Sequence, residues 1–214
     1  MLFVFDLDGT LVDSRRDLAD SANAMLARFG AVPLPEDRVI AMVGDGAPML
    51  VQRACAAAGL SLVPEGALGY FLEVYDTHLL DNTRPYPATH DVLKSVSQKA
   101  TLAVLTNKPE RASIRILEGT GLLPFFEHIV AGDGPWPRKP DPQGLEWLMS
   151  KTGTSRSSTV LIGDSIVDLR TARAAGVRIC LARYGFGFGS LLAEQLHSDD
   201  RVIDSPSDLL IWEA

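Results

Sequence analysis

The chain has 214 residues, enough at ~150 residues per domain for one large domain or a core carrying a smaller insert. Apolar residues make up 46% and charged residues 22%, the composition of a folded globular protein, and 20 Lys and Arg against 27 Asp and Glu leave a net charge of −7 that argues against a nucleic-acid partner. Met1-Leu2-Phe3-Val4-Phe5-Asp6 carries no cationic leader and no later stretch approaches ~18 apolar residues, so neither export nor a membrane span is expected.

Leu2-Phe3-Val4-Phe5 is a short, wholly apolar run ended by Asp and Gly, as expected of a parallel strand buried on both faces. From Ser14 to Leu80 no strand is expected, only helical patterns punctuated by Gly30, Pro33-Leu34-Pro35, Gly44-Asp45-Gly46 and Gly59. Leu18, Ala22, Met25, Leu26 and Phe29 form the apolar stripe of the first of these helices. The chain leaves the core near 12–14 and returns near 80–85, where Pro85 and Pro87 hold the backbone extended, so these crossings are the expected hinges. Further strands are expected at 102–105, 128–130, 160–162 and 177–181, separated by helical periods at 88–98, 109–120, 141–152 and 165–175. Arg201-Val202-Ile203 is a further strand candidate and precedes Ser205-Pro206, which starts an expected last helix through Trp212. The alternation predicts an α/β fold: a Rossmann-like doubly wound parallel sheet core (residues 1–13 and 84–214) with a small α-helical cap domain (14–83) inserted after the first strand. Cys55 and Cys180, far apart and in no Cys-x-x-Cys pattern, read as buried free thiols of a reducing compartment, the cytoplasm.

Asp6-Leu7-Asp8-Gly9-Thr10 follows the first strand directly, so both carboxylates stand at its carboxyl end, where open α/β sheets bind ligands. Alone, the string is either a tight turn or a chemical pair; a calcium loop is excluded because Leu11 occupies the position that needs Gly. Gly163-Asp164-Ser165-Ile166-Val167-Asp168 repeats the arrangement after another apolar run. There Asp168 either joins the acidic cluster or, with Ser165, caps the helix that follows. Carboxylates at two strand ends of one parallel sheet repel one another unless a cation neutralises them, and hard oxygen donors favour Mg²⁺. Thr106-Asn107-Lys108-Pro109 brings a hydroxyl and main-chain N–H donors to the same edge, and Lys139, in a loop stiffened by Pro140 and Pro142, can reach it too.

In this order, Asp6-x-Asp8-Gly-Thr, Thr106, Lys139 and Gly163-Asp164-x-x-x-Asp168 resemble the four motifs of the haloacid dehalogenase superfamily, in its phosphatase branch, over nearly the whole chain. Thr106-Asn107-Lys108-Pro109 with Lys139-Pro-Asp-Pro is similar to phosphoglycolate phosphatases. The resemblance implies Asp6 as the nucleophile that forms an aspartyl-phosphate, Asp8 as general acid and then base, and Mg²⁺ held by Asp6, the Asp8 main-chain carbonyl and Asp164. It implies Thr106, Asn107 and Lys139 as ligands of the phosphoryl oxygens, with Asp168 supporting the metal or Lys139. The implied substrate is a small phosphorylated metabolite, foremost 2-phosphoglycolate, with a sugar phosphate, a nucleotide or pyrophosphate as alternatives, handled by a monomer or homodimer.

Residue types narrow the family's chemistries. Asp8 suits ester hydrolysis or a mutase and disfavours dehalogenation; residues 14–80 hold no lysine for a Schiff base; and β-phosphoglucomutases carry a histidine early in the cap, whereas the first one here is His78 at its far end, which leaves a phosphomutase as the second reading. An inactive, cap-mediated binding protein would lack Asp6, Asp8 or Lys139, and all three are present. Gly44-Asp45-Gly46 reads either as an interhelical turn or as a specificity loop in which Gly46 approaches a substrate anion, while Arg53 is expected at the surface. Tyr184-Gly185-Phe186-Gly187-Phe188-Gly189 lacks the third glycine of a dinucleotide loop and reads as a mobile glycine loop; there is no P-loop string, and the four histidines lack zinc-ligand spacing.

Overall fold

The computed structural model describes residues 1–211, the side chain of Ala193 excepted. Its elements in chain order are β1 (Leu2–Phe5), β2 (Val12–Asp13), α1 (Arg15–Arg28), α2 (Glu36–Ile40), α3 (Ala47–Ala57), α4 (Ala67–His78), β3 (Arg84–Pro85), α5 (Thr89–Val96), β4 (Thr101–Leu105), α6 (Glu110–Gly119), β5 (His128–Val130), α7 (Gln143–Thr152), β6 (Thr159–Gly163), α8 (Ile166–Ala175), β7 (Arg178–Ala182) and β8 (Arg201–Ile203). Six strands form one parallel sheet in the order β5-β4-β1-β6-β7-β8. The chain builds outward from β1 through β4 to β5, then crosses back to β6 on the other side, so the order reverses beside β1. Among the described residues, no helix is long and apolar enough to cross a membrane.

Alternation along β1 divides the core between two layers. Phe3 and Phe5 pack with Val92, Leu93 and Val96 of α5 and Ile116 and Leu117 of α6, while Leu2 and Val4 pack with Leu145 and Leu148 of α7 and Leu169 and Ala172 of α8. Each such side chain taken out of water contributes roughly 1.5–3 kcal/mol, which explains why an all-apolar run ends up in the central strand. The expected stripe on α1 is buried at Leu18, Ala22, Met25 and Leu26, and Phe29 meets Tyr70 edge-on with ring centroids 6.5 Å apart.

Two features lay outside the expected elements. Val12 and Asp13 pair antiparallel with Pro85 and Arg84, so the two crossings into and out of the helical segment lie side by side as a two-stranded ribbon. Beside it, the buried Asp17 carboxylate accepts hydrogen bonds from the main-chain N–H groups of Asn82 and Thr83, from Asn82 Nδ2 and from Thr83 Oγ1, at 2.7–3.0 Å. Burial alone would raise the Asp17 pKa; these donors outweigh it and leave the carboxyl below its ordinary value. The expected last helix is instead a 3-10 stretch, Pro206–Ile211, and Trp212 lies outside the described residues.

Candidate active site

Because β1 is hydrogen-bonded to both β4 and β6, the residues that follow these three strands share one edge. Asp6 follows β1, Thr106 follows β4 and Asp164 follows β6, while Lys139 reaches in from the loop after β5. Lys139 Nζ is buried between Asp6 Oδ1 at 3.0 Å and Asp168 Oδ1 at 2.6 Å. The other Asp168 oxygen accepts from the main-chain N–H groups of Asp164 and Ser165 and from Ser165 Oγ, and the Ser165 hydroxyl accepts from the Asp168 N–H, a reciprocal cap on α8. Both readings of Asp168, helix cap and support for Lys139, therefore describe the same side chain.

Asp6, Asp164 and Asp168 can bring carboxylate oxygens within 4.8 Å of one another. Burial pushes the Asp6 carboxyl up to about 6, opposed by Lys139 and reinforced by the Asp168 carboxylate. Burial and the Asp168 and Asp6 charges hold Asp164 well above its ordinary value. For Lys139, burial would depress the ammonium, but Asp168 and Asp6 outweigh it and hold the pKa above the usual lysine value. Asp168 is saturated with donors, whereas Asp6 Oδ2 and Asp164 Oδ1 accept no hydrogen bond among the described residues. In the turn after Asp6 the N–H groups of Thr10, Leu11 and Val12 all donate to the Leu7 carbonyl, and none goes to the carbonyl of Asp8. Two free carboxylate oxygens, a free carbonyl and mutual repulsion are a donor set that fits a hard divalent cation.

Asp8 points to other partners. Its carboxylate accepts from Ser14 Oγ at 2.5 Å and from Lys108 Nζ at 2.9 and 2.7 Å. Lys108 is buried, and its ammonium lies 4.6 Å from the ring centroid of Tyr75 on α4. Burial would depress it; the Asp8 carboxylate and Tyr75 outweigh that and hold its pKa above the usual lysine value. The sequence pattern alone assigns Lys108 no role beyond its place in Thr106-Asn107-Lys108-Pro109. The available signal was its place two residues after Thr106 on the same loop.

A cavity of about 360 Å³ separates the sheet edge from the helical segment, and Asp6, Asp8, Thr106, Asn107, Asp164 and Gly46 all line it. Lys139 does not reach its wall: it sits behind the carboxylates. Gly46 immediately precedes α3, and the loop it belongs to is tied to the core by Asn107, whose Nδ2 donates to the Gly44 carbonyl at 2.8 Å and to the Lys139 carbonyl at 2.9 Å. Arg53 is half-buried rather than at the surface and braces the same loop from behind, through Asp45 and the Met42 carbonyl.

The loop expected to be a mobile glycine string is instead built against Asp164. The Gly187 N–H donates to Asp164 Oδ2 at 2.7 Å, and a Cβ on Gly185 would stand 2.3 Å from the Asp164 Cβ. Gly9 meets the same carboxylate from the other side with φ +83°, where any Cβ would collide with Asp164 Oδ2. These glycines are present because backbone must approach Asp164 from two directions.

Comparison with known proteins places this geometry. A family model described as haloacid dehalogenase-like hydrolase matches residues 3–182. The chain is 39% identical over 216 residues to "Phosphoglycolate phosphatase 1" of Pseudomonas aeruginosa, covering 98% of this chain and 78% of the relative. It is 38% identical over 212 residues to a phosphoglycolate phosphatase of Pseudomonas fluorescens, covering 95% and 76%. Among solved structures it is similar to that of a predicted phosphoglycolate phosphatase from Haemophilus somnus, with a TM-score of 0.88, 31% identity and coverage of 98% of this chain and 96% of that one.

Proposed function

The chain belongs to the haloacid dehalogenase-like hydrolase family, and on that premise we propose that it is a Mg²⁺-dependent phosphatase that hydrolyses 2-phosphoglycolate to glycolate and phosphate through an aspartyl-phosphate on Asp6. The observation that carries this reading is that Asp6, Asp8, Thr106 and Asp164 line one cavity at the carboxyl edge of the sheet. The names of the relatives support the choice of ester.

In this reading the Asp6 carboxylate attacks phosphorus, the phosphorus–ester oxygen bond breaks, and Asp8, which enters the cycle as the protonated acid, gives its proton to the departing glycolate oxygen. Asp8 then takes a proton from the water that attacks the aspartyl-phosphate, which frees phosphate and restores Asp6. Lys139, clamped by Asp168, and the Leu7 N–H both hold Asp6 through Oδ1, which fixes the orientation of the carboxylate in the cavity. The Thr106 hydroxyl and the Asn107 N–H bind phosphoryl oxygens, and the Lys139 charge lies beneath them. Mg²⁺, held by Asp6, Asp164 and the Asp8 carbonyl, supplies charge neutralisation between carboxylates and phosphoryl group when bound. Residues 14–83 act as the cap, with Gly46 on the leaving-group side, and move about the β2–β3 ribbon to admit substrate.

Turnover of phosphoglycolate is expected to stop on chelation and resume on Mg²⁺ addition. Asp6→Asn is expected to lose about a thousandfold or more in kcat, the loss typical of a missing covalent nucleophile. Hydrolysis that persists in chelator, or an Asp6→Asn protein as active as the parent, overturns the reading.

A further inference from the structure

Two buried polar groups in the cavity are left over by that chemistry. Tyr75 is 3% exposed and lines the cavity; Lys108 lies against it and can only donate to its hydroxyl oxygen, so the hydroxyl proton has no acceptor among the described residues. A buried O–H whose proton has no acceptor in a native fold calls for one supplied from outside. Lys108 Nζ faces Asp8 Oδ1, Asp8 Oδ2 and Tyr75, so what it offers an incoming anion is its buried charge. Around this pair the wall is apolar, with Leu18, Leu50, Phe71 and Phe186. An anion entering here meets a desolvated cation and an available hydroxyl proton with little competition from water.

The position of the pair defines what it would hold. Asp8 is the group placed at the leaving oxygen, and Lys108 contacts both Asp8 oxygens from the side of α4. We propose that Tyr75 and Lys108 receive the anionic end of the leaving group, a carboxylate that accepts from the Tyr75 hydroxyl and lies against the Lys108 charge. In an ester of a 2-hydroxy acid, one methylene separates the leaving oxygen from the carboxyl carbon, so a carboxylate next to Asp8 falls beside Lys108. The enzyme therefore selects short esters with an acidic leaving group over neutral ones of the same size. The core supplies one half of this selection and α4 supplies the other, so it is complete only with the helical segment in place.

This inference rests on the phosphatase reading. The test compares kcat/KM for 2-phosphoglycolate with that for 2-hydroxyethyl phosphate, in which the carboxylate is replaced by a neutral hydroxymethyl group, in the full-length Mg²⁺-loaded protein. The parent is expected to prefer phosphoglycolate. In Tyr75→Phe, which keeps the ring and its packing, that preference is expected to fall about tenfold, carried by KM, as for a lost hydrogen bond to a charged group. In Lys108→Gln it is expected to fall further, toward unity. A parent without preference, or a preference unchanged in both variants, overturns the proposal while leaving a phosphatase in place. Hydrolysis of neither ester by the parent, or full activity in Asp6→Asn, removes the phosphatase reading and this proposal with it.

Discussion

Asp168 divides its two oxygens between jobs: Oδ1 anchors Lys139, and Oδ2 gathers the N–H groups that open α8. Truncating it strands a buried ammonium and uncaps the helix. Asp168→Ala is accordingly expected to destabilise the protein by about 3–5 kcal/mol in urea denaturation. In a Lys139→Met background the same change should cost at least ~1 kcal/mol less, since no charge is left stranded; strict additivity would contradict the pairing. Asp6, Thr106 and Asp164 were legible in the sequence because each follows an apolar run, and the end of a buried strand fixes where the next side chain goes. Lys108 was not legible. A lysine in a loop is ordinarily solvated, and the partner that buries this one, Asp8, lies 100 residues away in the chain.

At the scale of elements, the Asp17 clamp joins α1 to the strand returning from the helical segment, so the first helix and the exit crossing are held together by one carboxylate. Since its pKa is depressed in the folded state, the unfolded chain binds the proton more readily. The stability Asp17 contributes is thus fully present above the ordinary aspartate value of about 4 and is lost as pH falls through the lower folded value. Asp17→Asn is expected to lower the melting temperature at pH 7 and to close the gap with the parent below about pH 4. A gap that stays constant through the acid range would contradict the clamp. The six sheet strands could be read from apolar runs bounded by turn residues, whereas β2 and β3, two residues each, are too short to show any period. Their pairing is decided by where the two crossings meet in space, and a linear pattern carries no trace of that.

For the molecule as a whole, the acidic balance of −7 is at first sight ill suited to an anionic substrate. Four carboxylates, Asp6, Asp8, Asp164 and Asp168, meet two lysines, Lys139 and Lys108, so the edge where the substrate would bind is left with two unmatched negative charges, which one divalent cation cancels. The helical segment meets the core through Asp76, which takes Arg111 and Arg115 of α6, and through the Asn107 bond to Gly44. With the Lys108 ammonium against Tyr75, these polar contacts frame the cavity between the helical segment and the core. The central claim is that phosphorus passes through Asp6. Its most direct test is to acid-quench the protein during turnover of phosphoglycolate with Mg²⁺ and map the peptides by mass spectrometry. One phosphoryl group is expected on the peptide that carries Asp6, absent without the metal and absent in Asp6→Asn; a phosphoryl group on any other residue, or none under conditions where turnover is slowed at the second step, would contradict the account.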